Sequence, residues 1–158
     1  MLTSKKILIV EDCDELLNLL GEALALLGWE TIRAESGREA MNKLELEYDL
    51  PSVILLDLRT SVIGGVKLLA TLKTHPVYKK IPILAASGHS RGMTRERCLA
   101  LGCDDFIPRP VDLPELETRL TKILAAERLR TIRATDPMNL EYNRRERRSR
   151  GAGHWRVA

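Results

Sequence analysis

Long hydrophobic runs are missing from this chain of 158 residues. Its apolar residues come in short bursts, and none approaches the roughly 20 consecutive residues that a helix needs to cross a bilayer. A membrane protein is therefore not expected. Cysteine is scarce and odd in number: Cys13, Cys98 and Cys103 form no C-x-x-C pair, which indicates neither a disulfide framework nor a zinc site and fits a reducing compartment. Aromatic residues make up only 4%, with a single phenylalanine, Phe106, whose default place is in the core at a sheet edge. His75, His89 and His154 are scattered, and no neighbouring acids complete a metal-ligand spacing around them. Met1 to Lys6 runs directly into the first apolar burst, leaving no room for a signal peptide. A cytoplasmic location is expected.

What is present is the composition of a globular protein: 44% hydrophobic and 30% charged, in a chain long enough to bury a core. The net charge of +3 hides an asymmetry. Residues 1–126 hold 16 Lys/Arg against 18 Asp/Glu, a balance of −2, and residues 127–158 hold 9 against 4, a balance of +5. The sequence divides accordingly into a domain over 1–126 and, over 127–158, the end of the last helix and a basic tail.

Within 1–126, short apolar runs alternate five times with helical patterns. The runs are Ile7–Val10, Glu30–Ala34, Val53–Leu56, Ile81–Ala86 and Asp105–Pro108. Between them, Leu16, Leu20, Leu24 and Leu27 recur at helical spacing before a stop at Gly28. Ser36-Gly37-Arg38-Glu39 has the form of a capping box opening a helix to about Glu47. A loop with Gly64-Gly65 leads to a helix ending near His75-Pro76, and another helix runs from about Met93 to Leu101. Asp112 caps a last helix with Pro114 in its tolerated first turn, fraying somewhere between Ala126 and Ala134. Strands apolar on both faces, alternating with helices, predict an α/β fold with a parallel sheet covered on both sides. In such sheets ligands bind beyond the carboxyl ends of the strands, where the winding direction switches.

Glu11, Asp12, Asp57, Ser87 and Arg109 all fall at those ends. Three carboxylates at one edge repel one another unless a cation intervenes, and Mg2+ suits them because it takes oxygen ligands and keeps positions open for water or phosphate. In that chemistry Asp57 is a nucleophile toward phosphorus, Asp12 holds the metal directly, and Glu11 holds it through water. Ser87 offers a hydroxyl donor and Arg109 a fixed positive charge to phosphoryl oxygens. The alternative for the acids is capping and solvated charge, for Ser87 a cap on the following loop, and for Arg109 an ordinary salt bridge.

Glu11-Asp12 after the first strand, Asp57 after the third, Ser87-Gly88 after the fourth, Phe106 within the fifth and Arg109-Pro110 after it together resemble the receiver domain of two-component response regulators over about residues 4–126. That resemblance implies a flavodoxin-like, doubly wound, five-stranded sheet of order 2-1-3-4-5. It also implies phosphorylation of Asp57 by a histidine kinase or phosphotransfer protein, the backbone carbonyl of Arg59 as a further metal ligand, and room for phosphoryl entry beside Gly88. Ser87 would then move toward the phosphoryl group and Phe106 turn inward, changing the face formed by the fourth helix, fifth strand and fifth helix. A cis bond before Pro110 is part of the same expectation. The chain departs from the family at Arg109, where a lysine is usual, and at Ser61, where proline is common. Guanidinium and ammonium are not equivalent.

The expected function is that of a stand-alone phosphoacceptor, since too few residues follow Ala126 for a helix-turn-helix domain, and not that of an enzyme beyond turnover of its own aspartyl phosphate. It would signal to a downstream protein partner, with a homodimer through the fourth-to-fifth-helix face as a further option. The alternative is a receiver-like interaction module that no longer switches by phosphorylation. The arginines at 144–150 could touch phosphates, but they are read as a solvated tail rather than a nucleic-acid or membrane site.

Overall fold

The structure, a computed structural model, describes residues 5–59, 64–88, 93–136 and 141. Strands β1 (Lys6–Val10), β2 (Glu30–Ala34), β3 (Val53–Asp57), β4 (Ile83–Ser87) and β5 (Asp105–Pro108) alternate with helices α1 (Asp14–Leu26), α2 (Gly37–Leu46), α3 (Gly65–Thr74), α4 (Arg95–Ala100) and α5 (Leu113–Thr135). All strand pairs are parallel, in the order β2-β1-β3-β4-β5. This is the doubly wound α/β architecture that the alternation predicts.

Successive strand side chains point to opposite faces, which explains why β1, β3 and β4 are buried along their whole length. Leu8, Val10, Ile54, Leu56, Ile83 and Ala85 pack against α2, α3 and α4 through Leu44, Leu68, Leu72 and Cys98. Ile7, Ile9, Val53, Leu55, Leu84 and Ile107 pack on the other face against α1 and α5, through Leu17, Leu20, Leu24, Leu116 and Leu120. Lys6, at the edge of the sheet away from the acidic strand ends, is buried and neutralised by Glu47 and by Glu30 at 3.2 Å. Two compact units are distinguished, residues 1–124 and 125–158. The first contains the sheet; the described part of the second is the end of α5 together with Asp136 and Glu141.

Element ends follow local chemistry. Gly28 takes φ of 84° after α1, a conformation that a Cβ disfavours. Asp112 Oδ2 accepts the Glu115 amide at 2.9 Å in the first turn of α5. The fourth strand differs from the run Ile81–Ala86 by starting at Ile83. Pro82 has no N–H for the ladder, and the Ile81 amide closes a 3-10 turn over Tyr78–Lys80 by donating to the Tyr78 carbonyl at 2.9 Å. The α4 helix is shorter than the span from Met93 to Leu101, and α5 continues to Thr135. The loop position Ser61, His89, His154 and the arginines at 144–150 lie outside the described residues.

The capping box of α2 is half regular. Ser36 Oγ accepts the Glu39 amide at 3.2 Å, and Glu39 Oε2 reaches one residue further back, to the Glu35 amide at 2.8 Å. Ser36→Ala is expected to lower stability by about 1 kcal/mol. Urea unfolding checks this, and an unchanged midpoint would mean that the cap is idle.

Candidate functional site

Parallel pairing puts the carboxyl ends of the strands on one edge of the sheet. Val10 is level with Leu56, so the residues that follow each, Glu11 and Asp57, emerge side by side, and Asp57 is level with Ala86 on β4. β1 has β2 on one side and β3 on the other, which makes this the switch point of the winding. Glu11, Asp12 and Asp57 each bring a carboxylate oxygen within 4.8 Å of the others. Glu11 and Asp57 are only 2% and 3% exposed, whereas Asp12 faces solvent.

Backbone turns aim the two buried acids. The Cys13 amide donates to Glu11 Oε1 at 3.1 Å, and the Arg59 amide donates to Asp57 Oδ1 at 3.0 Å. Both are bonds from the amide two residues on, a local geometry that aspartate favours and that the longer Glu11 side chain also reaches here. The Arg59 guanidinium also approaches, with Nε 3.9 Å from Asp57 Oδ1, although that side chain is half exposed. Arg109 enters from beyond β5. Its Nη2 donates to Glu11 Oε2 and lies 3.0 Å from Asp57 Oδ2. One guanidinium nitrogen thus bridges both buried acids. Burial is the main influence on Glu11 and raises its pKa, with a further push from Asp57 outweighing the relief that Arg109 and the Cys13 amide bring. An ionised Glu11 therefore costs folding free energy near neutral pH.

This donor set fits Mg2+. It is all oxygen, it contains no histidine or thiolate, and the oxygens of an octahedral ion with ~2.1 Å bonds lie on the order of 3–4 Å apart, within reach of groups clustered inside 4.8 Å.

Other residues of the sequence reading are placed around this centre. Ser87 is buried at the end of β4, where its Oγ donates to the Gly88 carbonyl at 3.3 Å, a local bond that does not reach the acids. Its own carbonyl accepts the Arg109 amide at 3.1 Å, tying the β4 and β5 ends together. The Arg109-Pro110 bond is cis. Phe106 is half-buried and packs against the core on the α2–α4 side.

Beside Phe106, Asp105 gathers charges from two helices. Arg95 of α4 donates to it at 2.7 Å, and Arg119 of α5 at 3.0 and 3.1 Å. Burial pushes the Asp105 carboxyl up, but the Phe106 amide and the two arginines more than offset this, so its pKa lies below the ordinary value. A depressed carboxylate stabilises the fold above its unfolded pKa, and that contribution fades as pH falls through the folded value. Asp105→Asn is expected to cost on the order of 1–2 kcal/mol at pH 7. The gap between variant and parent in urea unfolding should narrow as pH falls below about 4, the unfolded carboxyl value; a gap constant with pH would contradict this assignment.

Three features escaped the sequence reading. The amides of Cys13 and Arg59 carry no side-chain signature, although a carboxylate two residues before an amide at a strand end is a usable signal. Gly65 is the third. A Cβ there would stand 2.3 Å from the Asp57 carbonyl oxygen and 2.5 Å from Leu58 Cα, so only glycine lets α3 start against the backbone that carries Asp57.

Comparison with known proteins bears on this arrangement. Residues 7–121 match the family model described as the response regulator receiver domain. The regulatory protein AtoC of Escherichia coli is 31% identical over 82% of this chain, which spans only 27% of AtoC. The polar-differentiation response regulator DivK of Brucella abortus is 31% identical over 70% of this chain and 89% of its own. A crystal structure of a response regulator from Chloroflexus aurantiacus superposes with a TM-score of 0.71 at 29% identity, over 78% of this chain and 99% of that one.

Proposed function

Since the chain belongs to the response regulator receiver family of two-component signalling, we propose that it accepts a phosphoryl group on Asp57 in a magnesium-dependent reaction and passes the signal through a changed protein-binding face. The observation that carries this reading is the convergence of Glu11, Asp12 and Asp57 within 4.8 Å at the switch point of the sheet.

One carboxylate oxygen of Asp57 attacks the phosphorus of a phosphohistidine. The new O–P bond forms as the N–P bond breaks, and the imidazole leaves with the electron pair and takes up a proton. The Arg59 amide holds the other oxygen, Oδ1, at 3.0 Å, so that Oδ2 is presented to the donor. Asp12, Asp57 and the Arg59 carbonyl would hold Mg2+, with Glu11 acting through water. When bound, the ion supplies neutralisation of the charge on the phosphoryl oxygens. Arg109 adds a positive charge to the phosphoryl oxygens, and Ser87 rotates its hydroxyl from the Gly88 carbonyl to a phosphoryl oxygen. Hydrolysis of the aspartyl phosphate by water returns the chain to rest. The chain is in this sense a phosphoacceptor, not an enzyme acting on other substrates.

The donor is a histidine kinase or phosphotransfer protein in the cytoplasm, and the reader of the signal is a protein, or a second copy of the chain, docked on α4, β5 and α5. Phe106 and the Asp105 ion cluster belong to that face, since Asp105 joins α4 to α5 through Arg95 and Arg119. No helix among the described residues is long and apolar enough to cross a membrane.

One observation favours the second reading, an interaction module that no longer switches. Arg109 Nη2 lies 3.0 Å from Asp57 Oδ2, and an ion pair that never opens would blunt the nucleophile. Incubation with acetyl phosphate, with and without MgCl2, separates the two. Magnesium-dependent incorporation of phosphate is the expected result. A chain that stays unlabelled under both conditions, while still folded, would support the module instead.

A further inference from the structure

Arg109 stands where the metal reading wants an open edge. Its Nη2 donates to Glu11 Oε2 and lies 3.0 Å from Asp57 Oδ2, while the second oxygen of each acid is engaged by a backbone amide, of Cys13 and of Arg59. Both acids are almost wholly buried, and the arginine side chain is itself only 13% exposed. None of the three can readily exchange its partner for bulk water. A cation that draws on the Glu11 side of the cluster therefore meets the guanidinium already there, and the exposed carboxylate of Asp12 is the only one of the three open to an arriving ion.

A second, independent observation concerns the arginine itself. Its Nε is buried and, among the described residues, has no hydrogen-bond partner. A buried donor left unpaired is costly, so two acids hold the guanidinium in a position that does not satisfy all of its own donors.

We propose that Arg109 is the resident counter-ion of this centre, and that a divalent cation binds only as the guanidinium leaves Glu11. The inference rests on the reading of the acidic cluster as a magnesium site and adds a gate to it. Three carboxylates without a cation repel one another, and the arginine relieves that repulsion while the metal is absent. It does so at the expense of metal affinity, because the binding-competent state is only a fraction of the population and apparent affinity falls by that fraction. A lysine would not act in the same way. Its single ammonium is a compact charge, whereas a guanidinium has a planar set of donors that can let go of one acid while still holding another group. The released guanidinium can turn Nε and an Nη together toward a phosphoryl group, a two-pronged contact suited to arginine.

The test is competition for the vacated space. Titration calorimetry with MgCl2 at constant ionic strength is expected to show Arg109→Ala binding the ion at least about tenfold more tightly than the parent chain, the scale set by one charge-assisted hydrogen bond. Millimolar guanidinium chloride should weaken Mg2+ binding to Arg109→Ala, while sodium chloride of equal ionic strength should not. Equal affinity of the two proteins, or equal effects of guanidinium and sodium, would overturn the proposal. Should Arg109→Ala not fold, the parent chain decides. Its Arg109 Nε–H resonance, assigned by its absence in Arg109→Lys, must shift as MgCl2 saturates, and a resonance that stays in place at saturation refutes the gate. Labelling of Asp57 by acetyl phosphate separates the two layers. Labelled Asp57 with these negative results removes the gate alone. A parent chain that neither binds Mg2+ nor labels removes the metal reading and the gate together.

Discussion

Asp57→Asn is expected to reduce phosphoryl labelling of the chain to background, a loss of at least about a hundredfold. The substitution keeps the shape of the side chain and its acceptor oxygen, so the bond from the Arg59 amide at 3.0 Å survives. What it removes is the negative charge that makes the oxygen a nucleophile. Neither neighbour can take over. Glu11 has one oxygen on the Cys13 amide and the other on Arg109. Asp12 is exposed and lacks the buried, oriented setting that a near-attack geometry requires. A circular dichroism spectrum matching that of the parent, combined with absent labelling, is the predicted pair of results. Retained labelling in a folded variant would move the acceptor elsewhere and remove the role given to Asp57.

Gly65→Ala is expected to destabilise the chain by about 1–3 kcal/mol or more and to impair labelling as well. The added methyl carbon would stand 2.3 Å from the Asp57 carbonyl oxygen and 2.5 Å from Leu58 Cα. Both contacts are with backbone, which cannot rotate away, so either α3 or the end of β3 must move. Alanine has the better helix propensity by about 1 kcal/mol, and that gain is smaller than the clash. Because the displaced backbone carries the nucleophile, a shift approaching 1 Å would cost on the order of a hundredfold in rate. Gly64→Ala is the control. A Cβ there meets nothing within 4 Å among the described residues, and its effect should stay within about 1 kcal/mol, the scale of an altered N-cap. Urea unfolding and acetyl phosphate labelling of both variants check this, and equal behaviour of the two would contradict the packing argument.

Periodicity made the fold legible, because it reflects which side chains can share a face. Ile7 and Ile9 pack on one side of the sheet, Leu8 and Val10 on the other. A run apolar at every position is the signature of such a strand. Local chemistry likewise marked the ends at Gly28, Ser36 and Asp112, where the deciding bonds span one turn. Pro82 reads as part of a strand because its neighbours are apolar. The 3-10 turn before it, closed through the Ile81 amide, depends on backbone geometry that composition does not encode.

At the candidate site, Glu11, Asp12 and Asp57 could be grouped from sequence because parallel strands bring all their carboxyl ends to one edge. Arg109 could be assigned a positive charge but not an address. It is 98 positions from Glu11, and whether a long side chain bridges two acids or points to solvent depends on the path of the β5 end. The Arg59 amide and Gly65 escaped for a related reason. One acts through a backbone N–H and the other through the absence of a side chain, and neither function is written in residue type.

The measurement that tests the central claim most directly is the position of the phosphoryl group itself. Treating the acetyl phosphate-labelled chain with borohydride reduces an acyl phosphate to homoserine, which peptide sequencing by mass spectrometry locates. Homoserine at position 57, formed only when MgCl2 was present during labelling, is the predicted result. Homoserine at another carboxylate, or a label that resists borohydride because it sits on a histidine or a hydroxyl, would contradict the account.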